Sequence, residues 1–136
     1  MNVSLMPYSP LAGGHLARNT WESNTLRGKT DRVVHGKYDH FEKQDMEIVK
    51  CVDELAHKYH CKMSQIALAW QWAKGGVSSP IIGATKMQYI DDAVMALEIS
   101  LTNEDLTYLE EMYVPHPIVG AINENPPQGT VLLDKK

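Results

Sequence analysis

The hydrophobic residues of this chain follow two rhythms. Two short apolar runs, residues 3–8 and 77–82, predict strands of the buried kind that parallel sheets use. Ser9-Pro10 stops the first, and the second runs into Gly83. Elsewhere the apolar positions recur at a helical period. Over residues 45–60, Met46, Val49, Val52, Leu55, Ala56 and Tyr59 fall at i, i+3, i+4 and predict an amphipathic helix. Residues 86–98 carry Tyr89, Ile90, Ala93, Val94 and Leu97 on one stripe. A last helix opens with Thr102-Asn103-Glu104-Asp105, a capping-box pattern, and carries Leu106, Leu109 and Met112.

Residues 65–74 depart from this pattern. Ile66, Ala67, Leu68, Ala69, Trp70, Trp72 and Ala73 leave almost no polar face. A helix that is apolar all round expects neighbours on more than one side. Ser64 is its expected N-cap and Gly75-Gly76 its stop. Residues 12–44 are polar, with Gly13-Gly14, Gly28 and Gly36, and read as a long loop that is either a functional lid or disordered. From Val114 onward the prolines 115, 117, 126 and 127 predict an extended tail, flexible over residues 123–136. Two strands, each followed by helical cover, are the signature of βα units in a parallel sheet. Two such strands make a poor sheet with both edges open, so the pattern reads as part of something larger.

Composition narrows the function classes. At 136 residues the chain has the length of one domain, and its net charge of −4 argues against a nucleic-acid surface. No apolar run approaches the ~20 residues that span a bilayer. Neither a signal-peptide pattern nor a disulfide framework is legible, since Cys51 and Cys61 are the two cysteines, and the expected setting is cytoplasmic. His57, His60 and Cys61 share a helix face, but in a last turn with Lys58 they suit the helix dipole better than a metal.

The chemistry-bearing motif is Ser79-Pro80-Ile81-Ile82-Gly83-Ala84-Thr85-Lys86. A strand, a small-residue turn and a helix N-terminus together form an anion site, with free backbone N–H groups and the helix dipole aimed at the turn. Gly83 admits a bulky phosphate, Thr85 offers a hydroxyl and Lys86 a point charge. The same residues also make an ordinary strand-to-helix turn with a solvated lysine.

Four motifs, in order, resemble the aldo-keto reductase family. Tyr8-Ser9-Pro10-Leu11-Ala12-Gly13-Gly14 is similar to its seventh-strand motif, and Ser64-Gln65-Ile66-Ala67-Leu68-Ala69-Trp70 to the helix that follows. Pro80-Ile81-Ile82-Gly83-Ala84-Thr85 is similar to the eighth strand and its cofactor-phosphate loop. Val114-Pro115-His116-Pro117-Ile118-Val119-Gly120 resembles the tail of the branch called aryl-alcohol dehydrogenases. The resemblance implies an α/β fold: the last two βα units plus tail, over residues 1–122, of a (β/α)8 barrel of roughly 300 residues. It also implies hydride transfer between NADPH and an aldehyde or ketone.

In that family Tyr8 matches the aromatic that stacks on the nicotinamide, and Ser9, Leu11 and Gly13 match positions lining the pyrophosphate. Arg18 follows in the loop, where a guanidinium clamps phosphate. Gly83, Ala84, Thr85 and Lys86 match the loop for the adenosine-side phosphate, and a lysine there suits NADP over NAD by charge. Tyr89 and Asp92-Ala93 stand where many members carry Gln or Arg and Glu-Asn; Tyr89 is positioned to stack on adenine and Asp92 to accept one hydrogen bond. The family's catalytic Asp, Tyr, Lys and His belong to earlier strands, and no matched segment here contains them. The expected chain is therefore a cofactor-gripping part without a proton donor, whose partners are NADP(H) and the missing barrel half or another protein chain. A non-catalytic interaction module and a truncated remnant are the alternatives.

Overall fold

A computed structural model describes residues 3–117. Among the described residues six α-helices carry the fold: α1 (Leu26–Thr30), α2 (Arg32–Tyr38), α3 (Glu42–Lys58), α4 (Met63–Ala73), α5 (Met87–Met95) and α6 (Asn103–Glu111). A kinked 3-10 stretch at Ala12–Ala17 precedes them, and short 3-10 turns at Asp39–Phe41 and Ala96–Glu98 lie between α2 and α3 and between α5 and α6.

The two expected strands are extended segments that pair side by side and in parallel, as read, but they do not form a continuous ladder. Only two isolated bridges link them among the described residues, Leu5 with Val77 and Tyr8 with Ile81. The first bridge is complete: the Leu5 N–H donates to the Gly76 carbonyl at 2.7 Å, and the Ser78 N–H to the Leu5 carbonyl at 2.9 Å. In that register the next two donors would be residues 7 and 80, and both are proline. Neither has an N–H, so the ladder breaks. It resumes one residue out of register, where the Ile81 N–H donates to the Pro7 carbonyl at 2.8 Å.

Helix α4 is buried on both sides, as its composition requires. Ile66 joins Val49, Val52, Leu55 and Ala56 of α3 and Leu109 of α6 in the main core. Leu68 joins Ala93 and Ala96 in a second cluster against Leu11 and Trp72. The N-terminus of α4 differs from expectation. Lys62, not Ser64, occupies the cap position, and the Gln65 side chain reaches back to accept from the Lys62 N–H at 2.9 Å. The capping box of α6 forms as read. Thr102 Oγ1 accepts from the Asp105 N–H at 3.2 Å, and Asp105 Oδ2 accepts from the Thr102 N–H at 3.1 Å.

The polar stretch 12–44 is not a structureless loop. It folds into α1, α2 and two 3-10 turns. Asp31 caps α2 by accepting from the N–H groups of Val33 and Val34. The buried ring of His15 anchors the stretch, stacked on Trp21 at 3.9 Å and edge-on to Tyr38 at 5.5 Å. The start of the tail is docked on α3: Gln44 donates to the Val114 carbonyl at 2.8 Å, and His116 stacks on Phe41 and pairs with Asp45 at 3.0 Å. The readings that fall on residues 118–136 lie outside the described residues.

Candidate cofactor site at the rim of the paired segments

Parallel pairing puts the C-terminal ends of the two extended segments together. Tyr8 is bridged to Ile81, and Gly83 follows two residues on. The two halves of the predicted site therefore share one rim. Tyr8 is 67% exposed there. Its hydroxyl accepts from Lys37 of α2, whose ammonium lies 4.7 Å from the centre of the Tyr8 ring. Lys37 was not among the residues singled out from sequence, because nothing local predicts that α2 folds back over the rim.

The loop after Tyr8 closes on itself. Ser9 and Ala12 take left-handed backbone angles, as do Gly13 and Gly14 at φ 67° and 100°. Ser9 Oγ accepts from the Gly13 N–H at 3.3 Å, the Ser9 carbonyl from Ala12, and the Leu11 carbonyl from Gly14 and Leu16. Glycine is required at 13 twice over. A Cβ there would stand 2.7 Å from both methyl groups of Val34, in a conformation that side chains resist. Leu11 is drawn inward against the Leu68 cluster. Gln71 of α4 ties down the loop by donating to the Pro10 carbonyl at 2.9 Å.

Arg18 sits beside this loop but its guanidinium is engaged within the chain. It donates to the Gly14 carbonyl at 2.7 Å and the Trp21 carbonyl at 2.8 Å, and lies 3.2 Å from His15 Nδ1. It therefore fixes the loop's shape. Burial first, then the Arg18 charge, push the His15 imidazole down to about 4; Asp39 opposes this and His35 adds to it. The ring is thus neutral at neutral pH.

On the second half of the rim, Gly83, Ala84, Thr85 and Lys86 are all exposed and irregular. A Cβ at Gly83 would meet nothing within 4 Å, and its φ is not left-handed. Unlike Gly13, it is a glycine that nothing in the folded chain demands. Helix α5 begins after Lys86 with no side chain capping it. The Tyr89 N–H closes the first turn by donating to the Lys86 carbonyl at 3.1 Å, which leaves the amides of Met87 and Gln88 to face an anion. The Lys86 ammonium is 5.9 Å from the Tyr89 ring centre. Asp92 lies further along α5, and both its oxygens accept from Lys62 at 2.7 Å. That pairing turns its carboxylate toward the start of α4.

A shallow groove of ≈ 360 Å³ lies elsewhere, beside Asn103, Thr107 and Tyr108 on α6. Among the described residues no group of three His, Cys, Asp or Glu side chains is placed to hold a metal ion. Both cysteines are free. No helix of the described residues is long and apolar enough to cross a membrane.

Residues 1–114 match the Aldo/keto reductase family. The chain belongs to that family. It is similar to a protein of Schizosaccharomyces pombe named as an aryl-alcohol dehydrogenase, 41% identical over 88% of this chain and 33% of that protein. It is also similar to the versiconal hemiacetal acetate reductase of Aspergillus parasiticus, 40% identical over 85% of this chain and 34% of that one. An aldo-keto reductase of Fusarium vanettenii is 38% identical over 87% of this chain and 31% of its own length. The chain thus spans about a third of the length of the aldo-keto reductases it matches. It is a partial segment of a barrel family, mostly helical within the described residues.

Proposed function

We propose that these 136 residues are the cofactor-gripping C-terminal part of an NADP(H)-dependent aldo-keto reductase of the aryl-alcohol dehydrogenase type, acting on aldehydes and alcohols. The observation that carries the reading is the Tyr8–Ile81 bridge, which leaves an exposed ring and the Gly83 turn within reach of one dinucleotide. The residues suit such a ligand. Tyr8 offers a flat π face at a strand end. The open space at Gly83 and the uncapped start of α5 suit a phosphate, with Thr85 and Lys86 beside it. Lys86 favours the extra phosphate of NADP over NAD by charge, and Tyr89 is available for the adenine ring. Ser9, Leu11 and Gly13 line the pyrophosphate side, while Arg18 and Asp92 act through the loop and the α4 cap to which they are bonded.

When bound, NADPH supplies the hydride; the task of these residues is to hold it in one orientation. The family's catalytic Asp, Tyr, Lys and His are carried by earlier strands in the resemblance, so the purified chain is expected to bind NADPH in preference to NADH and to turn over no aldehyde. Fluorescence titration with the two cofactors, together with aldehyde-dependent NADPH oxidation, tests both halves. Equal affinity for NADH and NADPH would remove the Lys86 assignment, and sustained turnover would remove the claim that the donor lies outside these residues.

A further inference from the structure

Tyr8 does not stand free on the rim. Lys37 of α2 donates to its hydroxyl, and the Lys37 ammonium lies 4.7 Å from the centre of its ring. The fold presents that ammonium from a docked helix. Val34, one turn earlier on α2, packs against Gly13, where an added Cβ would stand 2.7 Å from its methyl groups. Tyr38, the next residue, meets the buried His15 ring edge-on at 5.5 Å. Asp31 caps the start of the helix. The charge at the rim is not cancelled. Asp39, two residues after Lys37, pairs with His35 at 2.8 Å and accepts from Trp21 at 3.1 Å. The hydrogen bond to Tyr8 pushes the Lys37 pKa up, so the side chain is a full positive charge at neutral pH.

We infer that Lys37 makes the site prefer the reduced cofactor, NADPH, over the oxidised form, NADP+, by setting a positive charge against the ring on which the nicotinamide stacks. This deepens the cofactor reading above and rests on it. The two forms share their adenine, ribose and phosphate groups. They differ in the nicotinamide, which carries a positive charge only when oxidised. In that reading Gly83, Thr85 and Lys86 face the shared parts and do not tell the forms apart. A discriminating group has to stand at Tyr8, and Lys37 is the cation that the fold places there. Arg18, the other cation of this region, is turned to the Gly14 and Trp21 carbonyls. An oxidised ring brought onto Tyr8 meets a like charge at close range, whereas the neutral reduced ring does not. Near a protein surface such a contact is worth on the order of a tenfold change in affinity. Lys37 also competes with either ring for the Tyr8 face, but that cost falls on both forms alike and cancels from their ratio.

The test is isothermal titration calorimetry of the purified 136-residue chain with NADPH and, separately, with NADP+. The unaltered chain is expected to bind NADPH about tenfold more tightly. Lys37→Met keeps the apolar stem and removes the charge. It is expected to shrink the ratio of the two affinities roughly fivefold, by tightening NADP+ rather than by weakening NADPH, with an unchanged circular dichroism melt. Lys37→Arg keeps the charge and should keep the preference. Because salt screens the repulsion, the ratio for the unaltered chain should narrow as sodium chloride is raised, and that of Lys37→Met should not. Three results would overturn the inference while leaving the cofactor reading intact: a ratio that Lys37→Met does not change, an equal loss for both forms, as a phosphate clamp gives, or an equal gain, as a side chain that merely blocks the ring gives. A ratio indifferent to salt in the unaltered chain would overturn it without any variant. If the unaltered chain binds neither form, the cofactor reading falls and this inference falls with it.

Discussion

At the residue scale, charge and hydrogen-bonding capacity are decided by partners that sequence alone does not reveal. Arg18 and Asp92 have the right chemistry for a phosphate clamp and an adenine acceptor, yet both are engaged within the chain, Arg18 with two carbonyls and Asp92 with Lys62. The glycines separate more cleanly. Gly13 is explained by Val34 and a left-handed backbone, whereas Gly83 is explained by nothing the chain places near it. Gly83→Val is accordingly expected to leave the thermal melt unchanged while weakening NADPH binding on the order of tenfold, about 1.4 kcal/mol; parallel melts and titrations check this. His15 makes a pH prediction. Its folded pKa, about 4, lies below the ordinary imidazole value of 6.5, so the unfolded chain binds the proton more readily. The stabilisation is complete above 6.5 and is lost as pH falls toward 4. Urea melts at pH 7 and pH 5 should show the native chain losing stability, and His15→Gln should flatten that contribution.

At the element scale, the helices with strong periodicity were legible, and so was the Thr102 cap, because these depend on neighbours three and four residues away. The strands were legible in place and direction but not as a ladder. Pro7 and Pro80 carried the missing signal, since the pairing register sets them at the two rungs that need donors. The stretch 12–44 was misread because its helices are short and polar. They are held by Asp31, by the His15–Trp21 stack and by the α3 junction rather than by an apolar stripe. Asp105 had a cap role in the sequence but not its full one. It is buried on α6, and Lys58 at 2.6 Å, Tyr59 at 2.5 Å and Thr102 all donate to it. Burial opposes its charge, but these donors together outweigh burial and hold the carboxyl well below the usual range. Its stabilisation is therefore full above about pH 4 and lost as pH falls through the lowered value. Asp105→Asn should cost about 2 kcal/mol at pH 7 in chemical denaturation and make the melt less sensitive to acid below pH 4.

At the scale of the whole molecule, the sequence motifs carried the family and the order of the βα units, while the arrangement of the rim came from the structure. Two helical clusters meeting on α4 give the chain a core of its own. Lys37 shows what the sequence left out: a long-range contact made because α2 folds back onto Tyr8. The central claim is that Tyr8 and the Gly83 turn grip one and the same dinucleotide. The most direct measurement is an NADPH titration followed by amide NMR on the isotope-labelled chain. The account predicts that the amides of Tyr8 and Gly13 and those of Gly83, Lys86 and Tyr89 all shift along one common saturation curve. Shifts confined to one of the two segments, or two segments saturating at different concentrations, would contradict it.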